Sequence, residues 1–157
     1  MKEMQRLKEV VKQLRAPDGC PWDRQQTHGS LKAACVEEAA EVIGGIRILE
    51  ETGSAENLRE ELGDLLLQVV MHAQIAEEEG LFDLEDVAKT VADKMVRRHP
   101  HVFAEQNGMS AGEVPLGWEE IKKREKDGRE WESAYLPGAM EEATELLEVA
   151  KKRKGFI

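Results

Sequence analysis

The segment CVEEAAEVIGGI, residues 35–46, carries three glutamates inside an apolar pattern of helical spacing. Side chains three and four positions apart are neighbours on a helix, so Glu37, Glu38 and Glu41 occupy one arc of a helix predicted over residues 30–51. The face around Glu38 carries apolar and small side chains, which are Leu31, Ala34, Cys35, Val42 and Gly45. An unpaired charge on such a face is costly, and the three acids would repel one another if nothing neutralised them.

The same periodicity extends through most of the chain and predicts an all-α fold with few or no strands. Further helices are predicted at residues 2–15, 55–79, from 83 to near 100, near 118–126 and after 137. Ser30 is the predicted N-cap of the second helix. The second to fourth helices have broad apolar faces and short links, which predicts an antiparallel bundle. The third helix has an apolar face wider than packing against one side of the bundle requires. The extra apolar surface predicts a homodimer.

Composition narrows the functional classes. The chain has 157 residues, enough for one domain with a buried core, and a formal net charge of -10. That charge argues against binding to duplex nucleic acid, which requires Lys and Arg to neutralise phosphates. Two cysteines fit neither a disulfide framework nor a paired zinc motif, and no apolar run suggests a leader or a membrane span. These observations predict a cytoplasmic protein with reduced thiols.

A second acidic pair, Glu61 and Asp64 in the string EELGDLL, repeats the arrangement on the third helix. If the two helices pack antiparallel through a turn near residues 52–54, the acidic patches of both helices face each other. Four inward oxygen ligands, Glu38, Glu41, Glu61 and Asp64, then lack an obvious basic partner. Such a set suits a hard divalent cation, above all Mg²⁺, with Mn²⁺ as a substitute.

Two other interpretations compete with a magnesium site. Solvated surface charge is ordinary in a chain of which 34% is charged, although two sets of acids at helical spacing favour a metal. A di-iron bundle would require Glu-x-x-His pairs, and no histidine follows Glu38, Glu41 or Glu61 by three positions. The histidines at positions 28, 72, 99 and 101 lack metal spacing, so structural roles are expected for most of them.

Basic and aromatic residues in the second half of the chain are candidates for contact with phosphate or base. Lys94 and Arg98 share a helix face near its carboxyl end, where the helix dipole favours cations in any protein, and Arg97 competes for the same role. Trp118 offers a face for base stacking, although packing is the more common role of such a residue. The sequence contains no phosphate-binding GxxxxGK loop and no nucleophilic serine motif.

The strings EEAAE and ELGD, with nineteen residues between Glu41 and Glu61, resemble the signature of the MazG family of all-helical nucleoside triphosphate pyrophosphohydrolases. Four flanking strings are also similar to that family: GCPWDRQQTH at 19–28, LREELGDLLLQVVMHA at 58–73, RRHPHVF at 97–103 and GWEEIK at 117–122. The likeness covers about residues 1–126. It implies magnesium-dependent hydrolysis of a nucleoside triphosphate to the monophosphate and pyrophosphate, in the housekeeping removal of excess or non-standard nucleotides.

The resemblance also implies residue roles. The metal ligands are Glu38, Glu41, Glu61 and Asp64, with Glu37 as a supporting acid near the nucleotide. The residues that contact the nucleotide are Lys94, Arg98, Trp118 and Lys122. We expect water to attack a phosphorus of the triphosphate, with cleavage between the alpha and beta phosphates, and either Glu38 or Glu41 to accept its proton. The sequence does not choose between them, and it does not fix base or sugar preference.

The string LPGAMEEATELLEVAKKRKGFI, residues 136–157, is similar to the stretch where longer family members enter a second copy of the domain. The predicted division is therefore a pyrophosphohydrolase domain at 1–135 and a helical extension at 136–157. The chain is then either a one-domain protein or a fragment of a duplicated one. In duplicated members the copies can differ in activity, so a noncatalytic helical regulator that binds nucleotides or a protein partner is the alternative function.

Overall fold

The computed structural model describes residues 2–99, 102–103, 123 and 125–157. Their regular structure consists of helices α1 (Lys2–Arg15), α2 (Pro21–Arg24), α3 (Lys32–Thr52), α4 (Glu56–Glu78), α5 (Leu84–Arg98) and α6 (Leu136–Arg153), with a 3₁₀ helix at Glu130–Tyr135. No strand occurs in these ranges, so the all-α prediction is confirmed for them. The chain divides into two compact units, residues 1–83 with 140–157, and residues 84–139.

Glycines end the two long helices where the sequence predicted. Gly53 follows α3 with a left-handed φ of 75°, and its N–H donates to the carbonyl of Leu49. Gly80 follows the end of α4 with a φ of 70°. A side chain at either position would strain this backbone, so glycine ends both helices at little cost.

The prediction for the start of α3 is wrong. Leu31, not Ser30, occupies the N-cap, and no side chain caps this end of the helix. The Ser30 hydroxyl instead accepts a hydrogen bond from the backbone N–H of Thr27 at 2.9 Å and donates to Gln26 Oε1 at 2.7 Å. The hydroxyl is therefore used by the turn that precedes the helix.

Helices α3 and α4 form an antiparallel pair that dominates the first unit. Gly45 of α3 lies against Leu58 near the start of α4, whereas Cys35, early in α3, lies beside His72 near the end of α4. A Cβ added to Gly45 would lie 2.8 Å from the Cα of Leu58, so only glycine permits this approach of the two backbones. The tight contact fixes the relative position of the acids on the two helices.

The core of the first unit lies along the second half of α4 and is completed by α1. The buried apolar residues of this part of α4 are Val70, Met71, Ala73, Ile75 and Ala76. Val11 of α1 is fully buried, and α1 contacts α4. Burial of these side chains supplies the apolar stabilisation that holds α4 against α1.

Arg15 joins α1 to α2 and α4 through polar contacts. Its guanidinium binds Glu78 through Nε at 3.0 Å and Nη2 at 2.7 Å, and its Nη1 donates to the carbonyl of Asp23 at 2.6 Å and of Gln26 at 3.2 Å. The Arg15 side chain is only 6% exposed. The same contact lowers the pKa of Glu78, because the carboxylate accepts hydrogen bonds from the guanidinium.

The variant Arg15→Met is expected to lose about 2 kcal/mol of unfolding free energy, because two backbone carbonyls and a carboxylate lose their donor. Thermal and denaturant unfolding would measure the loss. The matched control is Arg6→Met on the same helix, whose pair with Glu3 leaves both side chains 75% exposed and should contribute less than about 0.5 kcal/mol. Equal losses in the two variants would contradict an anchoring role for Arg15.

Three structural predictions remain predictions: the bundle that includes α5, the homodimer, and the division at residue 135. Among the described residues, α3 exposes the apolar side chains of Ile43, Ile46 and Ile48. No helix in the described part of the chain combines the length and apolar character needed to cross a membrane.

Candidate metal centre

Three of the predicted metal ligands converge where α3 and α4 pack together. Glu38 from α3 and Glu61 and Asp64 from α4 can each present one carboxylate oxygen such that all three oxygens lie within 4.8 Å of one another. Glu38 and Glu61 are half-buried, whereas Asp64 is exposed. These three residues, here called the acid cluster, form an open site at the edge of the helix pair.

Asn57 orients one member of the acid cluster, and the sequence analysis missed it. Its Nδ2 donates a hydrogen bond of 2.8 Å to Glu61 Oε1 across one helical turn. Such an outer contact fixes the rotamer of a carboxylate and leaves its second oxygen for a ligand. The i,i+4 spacing between Asn57 and Glu61 was a usable signal, because residues four apart meet on a helix.

The acid cluster disfavours the ionised form of Glu38. Burial raises the pKa of this carboxyl group above its ordinary value, and the negative charges of Glu41, Asp64 and Glu61 raise the pKa further. Lys154 opposes these effects weakly. A bound cation would remove this electrostatic stress, so the shift indicates a site with uncompensated negative charge.

The fourth predicted ligand, Glu41, has a basic partner in the structure. Lys154 Nζ binds Glu41 Oε1, and Arg153 Nη2 binds Glu37 Oε2. The hydrogen bond to Glu41 raises the pKa of Lys154. The expectation that the four predicted ligands lack a basic partner is therefore wrong for Glu41, because residues more than a hundred positions later fold back onto α3. A metal-ligand role for Glu41 remains a prediction.

Removal of the Lys154 charge is expected to strengthen cation binding. In Lys154→Met, Glu41 loses its competing ammonium, so Mn²⁺ affinity should rise about fivefold, equivalent to ~1 kcal/mol for a partly exposed ion pair. Electron paramagnetic resonance of free Mn²⁺ would measure it. Lys151→Met is the matched control, because it changes net charge equally but breaks only the Lys151–Glu148 pair. The same increase in both variants would contradict specific competition at Glu41.

The second unit contains a basic groove of about 430 Å³. It is lined by Lys94, Arg97, Arg98, Lys126 and Arg129, together with Thr90, Glu125 and Glu132. Arg98 donates to Glu125 Oε2 through Nε at 2.8 Å and Nη2 at 2.6 Å, and Arg97 donates to Oε1 at 3.3 Å. These hydrogen bonds, led by those from Arg98, lower the pKa of Glu125. Glu125 thus occupies the fork of Arg98 as a phosphate oxygen would.

The structure places the other predicted nucleotide contacts only in part. Lys94 and Arg98 line one groove, as their spacing predicts, together with Lys126 and Arg129, which the sequence analysis did not name as candidates. Trp118 and Lys122 lie outside the described residues. Contact of these four predicted residues with a nucleotide remains a prediction.

The donor chemistry of the acid cluster fits a hard divalent cation. All three donors are carboxylates, and among the described residues the cluster includes neither histidine nor cysteine. Oxygen-only donor sets suit Mg²⁺, Mn²⁺ and Ca²⁺, whereas the di-iron bundle requires histidine as well. The structure therefore gives the di-iron interpretation no support within these ranges.

A protein-family model matches the segment that contains the acid cluster. Residues 26–103, which include all of α3, α4 and the acid cluster, match the MazG nucleotide pyrophosphohydrolase domain. A protein of Thermotoga maritima named nucleoside triphosphate pyrophosphohydrolase/pyrophosphatase MazG is 48% identical over 120 residues. The chain belongs to the MazG family. The resemblance noted in the sequence is thereby confirmed.

Relatives of this MazG chain are longer proteins. The Thermotoga maritima alignment covers 76% of the chain and 44% of that relative. The nucleoside triphosphate pyrophosphohydrolase of Escherichia coli K12 is 42% identical over 135 residues, 85% of the chain and 50% of the relative. An uncharacterized Bacillus subtilis protein, YabN, is 42% identical over 152 residues, 97% of the chain and 30% of the relative. The chain thus spans between 30% and 50% of the length of these proteins.

Proposed function

We propose that this MazG chain hydrolyses nucleoside triphosphates to nucleoside monophosphate and pyrophosphate with Mg²⁺ as cofactor. The observation that carries the proposal is the convergence of Glu38, Glu61 and Asp64 on two adjacent helices of a MazG domain. The names of the Thermotoga maritima and Escherichia coli relatives support the reaction class. We extend the proposal to housekeeping removal of excess or non-standard nucleotides by a homodimer.

The proposed metal ligands are Glu38, Glu61 and Asp64, with Glu41 available once Lys154 is displaced. When bound, Mg²⁺ supplies charge neutralisation of phosphate oxygens and acidifies coordinated water. Asn57 would hold Glu61 in its ligand rotamer. In this arrangement the position of each of these four acids decides its proposed role in metal binding.

Glu38 is the proposed proton acceptor in the hydrolysis. The attacking water gives its proton to the Glu38 carboxylate, its oxygen bonds to the alpha phosphorus, and the bond between that phosphorus and the bridging oxygen breaks. Pyrophosphate leaves with the bridging oxygen. Glu38 is assigned this role in preference to Glu41, because the Glu41 carboxylate is bound by Lys154.

For nucleotide binding we propose Lys94 and Arg98 as phosphate contacts and Trp118 and Lys122 as further contacts. The basic groove supports the first pair, because phosphate can replace the Glu125 carboxylate in the fork of Arg98. Glu37 would contribute indirectly, as a supporting acid whose charge is balanced by Arg153.

The proposal is tested with a panel of ribo- and deoxyribonucleoside triphosphates, including deaminated and oxidised bases, incubated with Mg²⁺. Equimolar monophosphate and pyrophosphate should appear and should disappear when a chelator is added, with recovery on adding excess Mg²⁺. Phosphate release without pyrophosphate would contradict the proposed bond cleavage. Binding without turnover across the panel would favour the noncatalytic regulator instead.

A further inference from the structure

A chain of sulfur and nitrogen atoms lies next to the acid cluster, and the proposed hydrolysis does not use it. Cys35 Sγ of α3 lies 3.2 Å from Nε2 of His72 on α4, and Nδ1 of His72 lies 2.7 Å from Nδ1 of His28. All three side chains are in contact range although 44 residues separate the two histidines. The structural role predicted for most of the histidines stays a prediction.

We propose that Cys35 and His72 form a binding site for Zn²⁺, distinct from the carboxylate site for Mg²⁺. Tetrahedral zinc with bonds of about 2.3 Å to sulfur and about 2.0 Å to nitrogen separates these two atoms by roughly 3.5 Å. The observed 3.2 Å requires only a small opening of the pair. Thiolate and imidazole are the donors that zinc prefers over magnesium.

His28 positions His72 for this role. Two ring nitrogens 2.7 Å apart must share one proton, so Nδ1 of His72 can donate to Nδ1 of His28 while Nε2 keeps its lone pair toward Cys35. A histidine that binds a metal through one nitrogen commonly donates its other N–H to a neighbouring acceptor. The ring planes differ by only 5°, which keeps both nitrogens in line with the shared hydrogen bond.

Two further polar groups lie one helical turn from Cys35 and His72. Glu38 lies one turn after Cys35 on α3; burial raises the pKa of the Cys35 thiol, and the negative charge of Glu38 raises it further. Gln68 lies one turn before His72 on α4; it is 9% exposed, and its Oε1 has no hydrogen-bond partner among the described residues. Residues four apart are neighbours on a helix, so this unpartnered oxygen belongs to the same face of α4 as His72.

Zinc binding at this pair replaces the proton of the Cys35 thiol with the metal ion. The Cys35 thiol loses its proton to solvent, sulfur donates an electron pair to Zn²⁺, and neutral His72 donates a second pair without further proton release. No oxidant or reductant is required. The site is open to additional water ligands, because the two protein donors fill only half of a tetrahedral shell.

Cobalt is the probe for this site, because a thiolate ligand gives Co²⁺ a near-ultraviolet charge-transfer band that oxygen ligands do not produce. The whole chain is titrated with Co²⁺ in excess Mg²⁺, and Zn²⁺ is then added to displace the cobalt. The expected result is a band that saturates with one equivalent and disappears on addition of zinc. Absence of the band from the folded protein would overturn the proposal.

Variants assign the band to its ligands. Cys35→Ser should abolish it and Cys20→Ser should retain it, since Cys20 serves as the matched thiol control. His72→Gln should weaken cobalt binding at least about tenfold, the minimum seen when even an outer partner of a metal ligand is lost. Circular dichroism verifies helical content in each variant. A band that survives in Cys35→Ser or is lost in Cys20→Ser would overturn the assignment, independently of any hydrolytic activity.

Discussion

Glu61→Gln is expected to lower the rate of pyrophosphate release at least about 100-fold, because losing a proposed metal ligand should exceed the loss seen for outer-sphere partners. The substitution keeps the shape of the side chain and preserves an acceptor for Asn57, so helical content should not change. Steady-state hydrolysis at saturating Mg²⁺ and Mn²⁺ binding would both measure the effect. Wild-type activity would remove Glu61 from the proposed site.

The companion substitution Glu38→Gln separates function from stability. It should also abolish hydrolysis, but in metal-free buffer it should raise the unfolding temperature. Burial and neighbouring acids raise the pKa of Glu38, so at neutral pH its ionised form destabilises the folded state relative to the unfolded state. That penalty is relieved as pH falls through the folded-state pKa, and the glutamine removes it at every pH.

The control for this pair is Glu50→Gln, a surface acid on α3 that has no part in the acid cluster. It should leave hydrolysis, Mn²⁺ affinity and unfolding temperature close to the wild-type values. A Glu38→Gln protein that is less stable than wild type without metal would contradict the inferred repulsion.

Gly45→Leu is expected to lose about 3 kcal/mol of unfolding free energy, at the upper end of the cost of overpacking. The first side-chain carbon would already lie 2.8 Å from the Cα of Leu58, and a helix backbone cannot yield as a flexible side chain does. Separation of α3 from α4 would also move Glu38 away from Glu61, so cation affinity should fall with stability. Denaturant unfolding and Mn²⁺ binding would measure the two losses.

The neighbouring glycine gives a closely matched control. A Cβ at Gly44 would meet no atom within 4 Å, and this position is exposed. Gly44→Leu should therefore stabilise the helix by up to about 1 kcal/mol through its better helix propensity. Equal destabilisation by the two substitutions would show that loss of glycine, and not the contact with Leu58, is responsible.

Local sequence signals were sufficient for the long helices α3 and α4 and for the convergence of three of the four predicted acids. Periodicity placed α3 and α4, and Gly53 and Gly80 marked their ends because a left-handed residue was required there. Spacing on each helix, combined with a short turn, brought Glu38, Glu61 and Asp64 together. These contacts follow from helical geometry and one hairpin, so they require no information about the rest of the fold.

Contacts between distant segments were beyond the same reasoning. The partners of Glu37 and Glu41 are Arg153 and Lys154, which come from the far end of the chain. Basic residues at the end of a helix are common and carry no signal of their distant partner. The pairing of His28 with His72 and Cys35 was missed for the same reason, because none of the three shares a local motif with another.

The crowding of carboxylates around Glu38 makes the cation a participant in folding energetics as well as in the proposed catalysis. An ion that binds only the folded chain lowers the free energy of that state in proportion to the logarithm of its concentration. The melting temperature, followed against the concentration of divalent cation, should therefore report binding at these carboxylates. Buffers that sequester divalent ions would then leave this helix pair at its least heat-resistant.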